Sequence, residues 1–227
     1  MKKVFCCIFS VLLALSCVST SAMAKGDSGK VYCRNVSKEK KIALTFDDGP
    51  HPRFTKEILD ILDEYGVTAT FFIIGVNAEN YPESLKMIVD SGCEIGNHTY
   101  SHLRIDKMSE KELEGEIVKC EQVIYSMTGI TPKLFRPPQG RVPDMLLSVT
   151  DRLGYNVILW SIDTLDWSHN SSDNICTAVR NNLTGGDIIL MHDYVSGKNT
   201  TCDALRRLIP DLLSQGYTFV TVSELIA

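Results

Sequence analysis

Apolar positions along the chain change spacing again and again, and each change marks an element. Ile42 to Phe46 is a short apolar run that ends in the turn formers Asp47-Asp48-Gly49-Pro50, the pattern of a buried strand meeting a loop. Thr55 then stands where a helix cap is expected, ahead of Ile58, Leu59, Leu62 and Tyr65 at helical spacing, with Gly66 to stop them. Thr68 to Ile74 is rich in β-branched and aromatic residues and predicts a strand. Pro82 opens a second helix through Leu85, Ile88 and Val89, closed by Gly92 and followed by a short strand at 94–96. Ser109 and Glu112 spell a capping box before a helix lined by Leu113, Ile117, Ile124 and Met127. The rhythm continues with a strand near Lys133 to Arg136, a helix from about Pro143 to Leu153 and a strand from Asn156 to Ser161. Ser172 starts a helix through Ile175, Val179 and Leu183; a strand at Asp187 to Met191, a helix at Asp203 to Ser214 and a strand at Tyr217 to Val222 complete the set.

About seven strands separated by helices imply βαβ units and a parallel sheet. Such a sheet can be open and doubly wound or closed as a barrel, and spacing alone fits both. No internal repeat or low-complexity tract interrupts it, so residues 41–227 are expected to form one α/β domain. Residues 25–40, polar and without periodicity, read as a linker.

The first 24 residues follow another logic. Lys2 and Lys3, the mostly apolar run from Val4 to Val18 and the small-x-small Ala22-Met23-Ala24 have the layout of a secretory signal peptide. The apolar core is short for a membrane span, so an exported protein without a lasting span is expected, as a monomer. Cleavage after Ala24 takes two lysines and no acids, leaving 203 residues and moving the formal charge from -5 to -7. That balance, without a basic stripe, argues against a nucleic-acid partner. Five cysteines remain: Cys33, Cys93, Cys120, Cys176 and Cys202, with no CxxC pair, which speaks against a sulfur-ligated zinc site. Cys93 and Cys120 fall in apolar segments as buried thiols, and Cys176 with Cys202 is the candidate disulfide.

The unusual polar residues fall just past the predicted strand ends, where α/β sheets and barrels build their sites. Asp47 and Asp48 follow the first strand, His98 and His102 the third, Arg136 ends the fourth, Asp163 and Asp166 follow the fifth, and His192-Asp193 the sixth. Asp-Asp-Gly-Pro is also an ordinary turn, but adjacent carboxylates repel and a metal would supply the compensating charge. One carboxylate can then bind metal while the other stays free for proton transfer. His98 and His102, four apart, are expected on one side of a helical turn. With Asp48 they make three protein ligands and leave an open position, the composition of a catalytic zinc site. The prolines at 137 and 138 disfavour helix and suit an Arg136 that orients a carboxylate. His192 has an acidic partner within reach to hold its ring protonated. Trp167 suits core packing and sugar stacking alike, and His51 and His169 read as rim residues.

Thr45-Phe46-Asp47-Asp48-Gly49-Pro50, His98-Thr99-Tyr100-Ser101-His102, Arg136-Pro137-Pro138-Gln139-Gly140, Asp163-Thr164-Leu165-Asp166-Trp167 and Leu190-Met191-His192-Asp193 resemble, in order, the five motifs of the polysaccharide deacetylase family, the NodB-homology domain of carbohydrate esterase family 4. The resemblance covers about Lys41 to Ala227. It implies a distorted (β/α)7 barrel, and a metal, usually zinc with other divalent ions such as cobalt also accepted, on Asp48, His98 and His102. It further implies Asp47 as general base paired to Arg136, and His192 as general acid tuned by Asp166. Trp167 and Leu190 would line the acetyl pocket. Gln139 stands where the family commonly has Tyr; its backbone amide would help bind the oxyanion, and its side chain bears on the sugar contacts. The implied substrate is a glycan polymer, with peptidoglycan N-acetylglucosamine the expected target. Chitin oligomers, muramic acid units and acetylxylan are the other substrates such a site admits. A non-catalytic sugar-binding module on the same fold is a reading from another class, opposed by the presence of ligands, base and acid together.

Overall fold

Ile42, Ala43, Leu44, Thr45 and Phe46 are all buried at successive positions, so both faces of their strand are covered, as a parallel sheet flanked by helices requires. The computed structural model describes residues 30–36, 39–195 and 200–227; the expected export signal lies outside them. Nine strands form one sheet: β1 (Val31–Tyr32), β2 (Lys41–Asp47), β3 (Thr70–Ile73), β4 (Glu94–Asn97), β5 (Leu134–Phe135), β6 (Asn156–Ile158), β7 (Ile162–Asp163), β8 (Asp187–His192) and β9 (Thr218–Phe219). Their order is β1-β6-β5-β4-β3-β2-β8-β7, with β9 on β2, and every ladder is parallel. β6 and β7 lie toward opposite ends of that order yet are joined by residues 159–161 alone, which curls the sheet round on itself. This is the distorted barrel of a single α/β domain.

The helices are α1 (Phe54–Tyr65), α2 (Gly75–Asn80), α3 (Pro82–Asp90), α4 (Glu110–Thr128), α5 (Asp144–Leu153), α6 (Ser172–Asn182), α7 (Thr201–Ser214) and α8 (Val222–Ile226). Local chemistry sets their ends. The Ser109–Glu112 capping box forms in both directions, and Gly66 takes the left-handed conformation that stops α1. Among the described residues no helix is long and apolar enough to cross a membrane.

Several expectations change. Val31–Tyr32, inside the stretch read as linker, pairs with β6; two residues carry no periodicity. The strand expected over 156–161 stops at Ile158 as β6, with β7 a separate short strand just past its expected end, and the strand expected to reach Val222 yields to α8. Thr55 does not cap α1. It lies inside the first turn, while His51 Nδ1 accepts from the amides of Arg53 and Phe54 at 3.3 and 3.2 Å. Cys176 and Cys202 are free thiols, and the Cys176 thiol instead points at the Ala204 carbonyl, 3.7 Å away.

Candidate active site

Parallel pairing brings the strand ends together. Asp47 closes β2 and is in register with His192, which closes β8, so the expected base and acid stand on adjacent strands. Asn97 closes β4 beside Phe135 of β5, so His98 and Arg136 leave neighbouring strands at the same level.

Asp48, His98 and His102 form the one group of metal-ligand type among the described residues, their ligand atoms all within 4.8 Å of one another. Because a carbonyl can only accept, His98 Nδ1–H is the donor to the Arg136 carbonyl at 2.7 Å, and in the neutral ring that leaves the Nε2 lone pair facing the site. Asp48 Oδ1 lies 3.5 Å from His98 Nε2 and 3.3 Å from His102 Nε2, and it is buried with no hydrogen-bond partner. Two ligand atoms each about 2.0–2.1 Å from a tetrahedral zinc are about 3.3 Å apart, so the donor set fits that ion. Burial would raise the Asp48 carboxyl, but the His98 ring, aided by His102 and His192, holds it down at about 2. Burial and the neighbouring His98 lower His102, favouring the neutral imidazole a metal needs.

The pair is not on a helical turn, as its spacing suggested. Residues 98–102 form a loop in which Thr99 (φ 68°) and His102 (φ 55°) are left-handed. Hydrogen bonds pay for this conformation: Thr99 N donates to Asn97 Oδ1, His102 N to Thr99 Oγ1, and Ser101 donates through both N and Oγ to Glu116 Oε2.

Arg136 is fully buried and donates from Nη1 to Asp47 Oδ1 at 2.7 Å and to Thr45 Oγ1 at 2.8 Å. Nε and Nη2 reach the carbonyls of Ile158 and Leu159, and the guanidinium lies over the Phe72 ring, 4.1 Å from its centroid. A charge held on so many sides cannot swing, so Asp47 Oδ1 is fixed. Oδ2 is left toward His98 Nε2, 3.8 Å away.

On the other flank, Asp166 is buried and accepts four hydrogen bonds, from His192 Nδ1 (2.7 Å), His192 N, Trp167 N and Thr201 Oγ1. Burial works against charge on His192, but the hydrogen bond and charge of Asp166, with Asp47 and Asp48 nearby, raise it to about 9. Its contribution to stability is therefore complete below about pH 6.5 and is lost as pH climbs through about 9.

These groups floor a cleft of about 440 Å³ lined by Asp47, Asp48, His98, His102, Gln139 and His192, with Leu190 and Trp167 among its walls. Leu190 is buried, whereas Trp167 is 53% exposed, a rim residue rather than a core one. Gln139 is left-handed (φ 60°), and Arg141 Nε donates to its Oε1. Asp163, one of the strand-end carboxylates, also lines the cleft, and the structure adds Trp160. Trp160 had no signal in the sequence except the glycine facing it: a Cβ on Gly140 would fall 2.7 Å from its ring. Asp193, beside His192 at the end of β8, takes no place in the cleft lining. It is wholly buried, hydrogen-bonded to Thr55 at 2.5 Å, and burial pushes it up to about 7.

Residues 34–158 match the family described as polysaccharide deacetylase. A peptidoglycan-N-acetylglucosamine deacetylase of Bacillus cereus is 40% identical over 201 residues, 88% of this chain and 94% of the relative. A peptidoglycan-N-acetylmuramic acid deacetylase of Bacillus subtilis is also 40% identical, over 82% of this chain but 39% of its own length. The crystal structure of a peptidoglycan N-acetylglucosamine deacetylase with a hydroxamate-type benzamide superposes with a TM-score of 0.83 at 38% identity, covering 86% of this chain and 92% of that one.

Proposed function

The chain belongs to the polysaccharide deacetylase family, and on that premise we propose that it removes the N-acetyl group from N-acetylglucosamine units of peptidoglycan, outside the cell membrane, with zinc on Asp48, His98 and His102. The observation that carries the reading is the cluster of three metal-type ligands on the cleft floor with a carboxylate and an imidazole in register on either side. The metal supplies Lewis-acid polarisation of the acetamide carbonyl. The rest falls to the protein. Asp47, its Oδ1 clamped by Arg136, takes the proton of the attacking water. His192, its Nδ1 tied to Asp166, presents Nε2 to the leaving nitrogen and returns a proton, so that acetate and a free amine result. The Gln139 amide is assigned to the developing oxyanion, and Leu190 and Trp167 to the acetyl methyl. Zinc is chosen because the two-imidazole, one-carboxylate set occurs in catalytic zinc sites and the 3.3–3.5 Å spacing of its ligand atoms suits a tetrahedral ion. Export is inferred from the apolar segment with its small-x-small end at 22–24.

Peptidoglycan incubated with the protein and then digested with muramidase should yield fragments lighter by about 42 Da, one acetyl replaced by hydrogen, with the loss on glucosamine. Loss confined to muramic acid, or turnover of chitin oligomers or acetylxylan alone, overturns the assigned glycan.

The acid has its own signature. With Asp166→Asn, His192 loses the carboxylate that raises it, so the alkaline limb of kcat/KM should move acidward, toward the ordinary imidazole value of 6.5. An added metal charge lowers both enzymes alike and preserves the direction. An unmoved limb would remove His192 from the acid role.

A further inference from the structure

The turn that carries both Asp47 and Asp48 is held from below. Its three consecutive carbonyls each accept a hydrogen bond from a different part of the fold: Asp47 O from Asp193 N (3.2 Å), Asp48 O from Asn77 Nδ2 (2.8 Å) and Gly49 O from Ile74 N (2.9 Å). Such support is needed because Asp48 has φ 73°, a left-handed conformation that a residue with a Cβ adopts only when its surroundings impose it.

Asp193 has a second hold on the turn. Its carboxylate packs straight against Gly49: a Cβ there would fall 2.0 Å from Oδ2 and 2.2 Å from Oδ1, so only glycine leaves room. Oδ2 accepts from the Thr55 hydroxyl of α1 at 2.5 Å, and that hydroxyl accepts from His51 N, at the far end of the same turn, at 2.7 Å. Oδ1 is buried without a partner, and Asp193 does not line the cleft. A buried carboxyl with one idle oxygen is a cost that an apolar side chain of like size would avoid. Packing alone does not account for it.

We propose that Asp193, anchored through Thr55, is the positioning residue of the metal turn: wedged under Gly49 and bonded to Asp47, it sets where Asp48 presents its carboxylate to the metal. The inference rests on the reading of Asp48, His98 and His102 as ligands. Asp193 itself touches no reacting atom and acts through its hold on the turn.

The experiment measures the affinity of the metal-free protein for Zn2+ by competition with a chromophoric chelator, and the d–d absorption of Co2+ in the same site. Asp193→Ala should weaken zinc by about 10–100-fold, the range seen when a ligand loses its outer support, and alter the cobalt bands. Thr55→Val should shift both in the same direction by less. The double variant should be no worse than Asp193→Ala, because Thr55 acts through Asp193. A lowered melting temperature of the metal-free variants with wild-type zinc affinity and cobalt bands would reduce both residues to packing and overturn the proposal. Should Asp193→Ala fail to fold, Thr55→Val decides alone, and wild-type readings in it overturn the proposal. Failure of the unaltered protein to bind either ion would overturn the ligand assignment, and this inference with it, before any variant is made.

Discussion

Asp47→Asn should lower kcat by about 10²–10⁴-fold, the usual worth of a positioned general base, while the protein still holds its metal. The substitution keeps the shape of the side chain and an oxygen to accept from Arg136 Nη1 and removes the proton acceptor. The three ligand residues are untouched. It also leaves the buried guanidinium without its counter-charge. Arg136 has no exposed surface and cannot reach water, so part of the penalty for breaking a buried ion pair, about 3–5 kcal/mol when a partner is removed outright, should appear as a lower melting temperature. Metal content, melting temperature and kcat measured on one preparation separate the two effects. A variant turning over near the wild-type rate would move the base elsewhere.

His102→Ala and His98→Ala should each strip the metal and abolish turnover, with affinity falling beyond the roughly 10–100-fold that follows loss of a ligand's hydrogen-bond partner. The two should differ in the metal-free state. His102 is partly exposed on its loop, and its removal should leave the apo fold close to its original melting temperature. His98 is buried, bonded to the Arg136 carbonyl and set between Asp47 and Asp48. Its loss opens a cavity and removes a ring that the two carboxylates favour in its charged form, so apo stability should fall as well. Metal analysis of the purified variants and thermal melts in chelator read both parts. Stoichiometric metal and full activity in both variants would dismiss the site.

Long elements were legible because their periodicity is long. β2, α1, α4 and α7 each show enough apolar positions to declare their type, and the Ser109–Glu112 box and Gly66 mark ends that the fold keeps. β1 and β7 are two residues each, too short for any pattern, and exist because neighbouring strands offer them partners. The helical turn expected from the four-residue spacing of His98 and His102 failed for a related reason. Spacing specifies which side chains can meet only once the backbone conformation is known, and here two left-handed residues and the Glu116 anchor produce the meeting instead.

The residue types of the site, their order and their place at strand ends are legible along the chain, because ligand chemistry and strand-to-loop transitions are local properties. Which of them share a space depends on how the sheet closes. Curling of the sheet puts Arg136 of one motif on Asp47 of another and Asp166 on His192, contacts between residues 89 and 26 positions apart. It also recruited Trp160 and Asn77, which carry no signal in the sequence, and gave Thr55 and Asp193 contacts that their places as a cap candidate and a neighbour of His192 do not reveal. Burial is the physical reason. A carboxylate's charge state, a ring's free nitrogen and a turn's left-handed backbone are set by surroundings, and the surroundings are assembled from the whole chain.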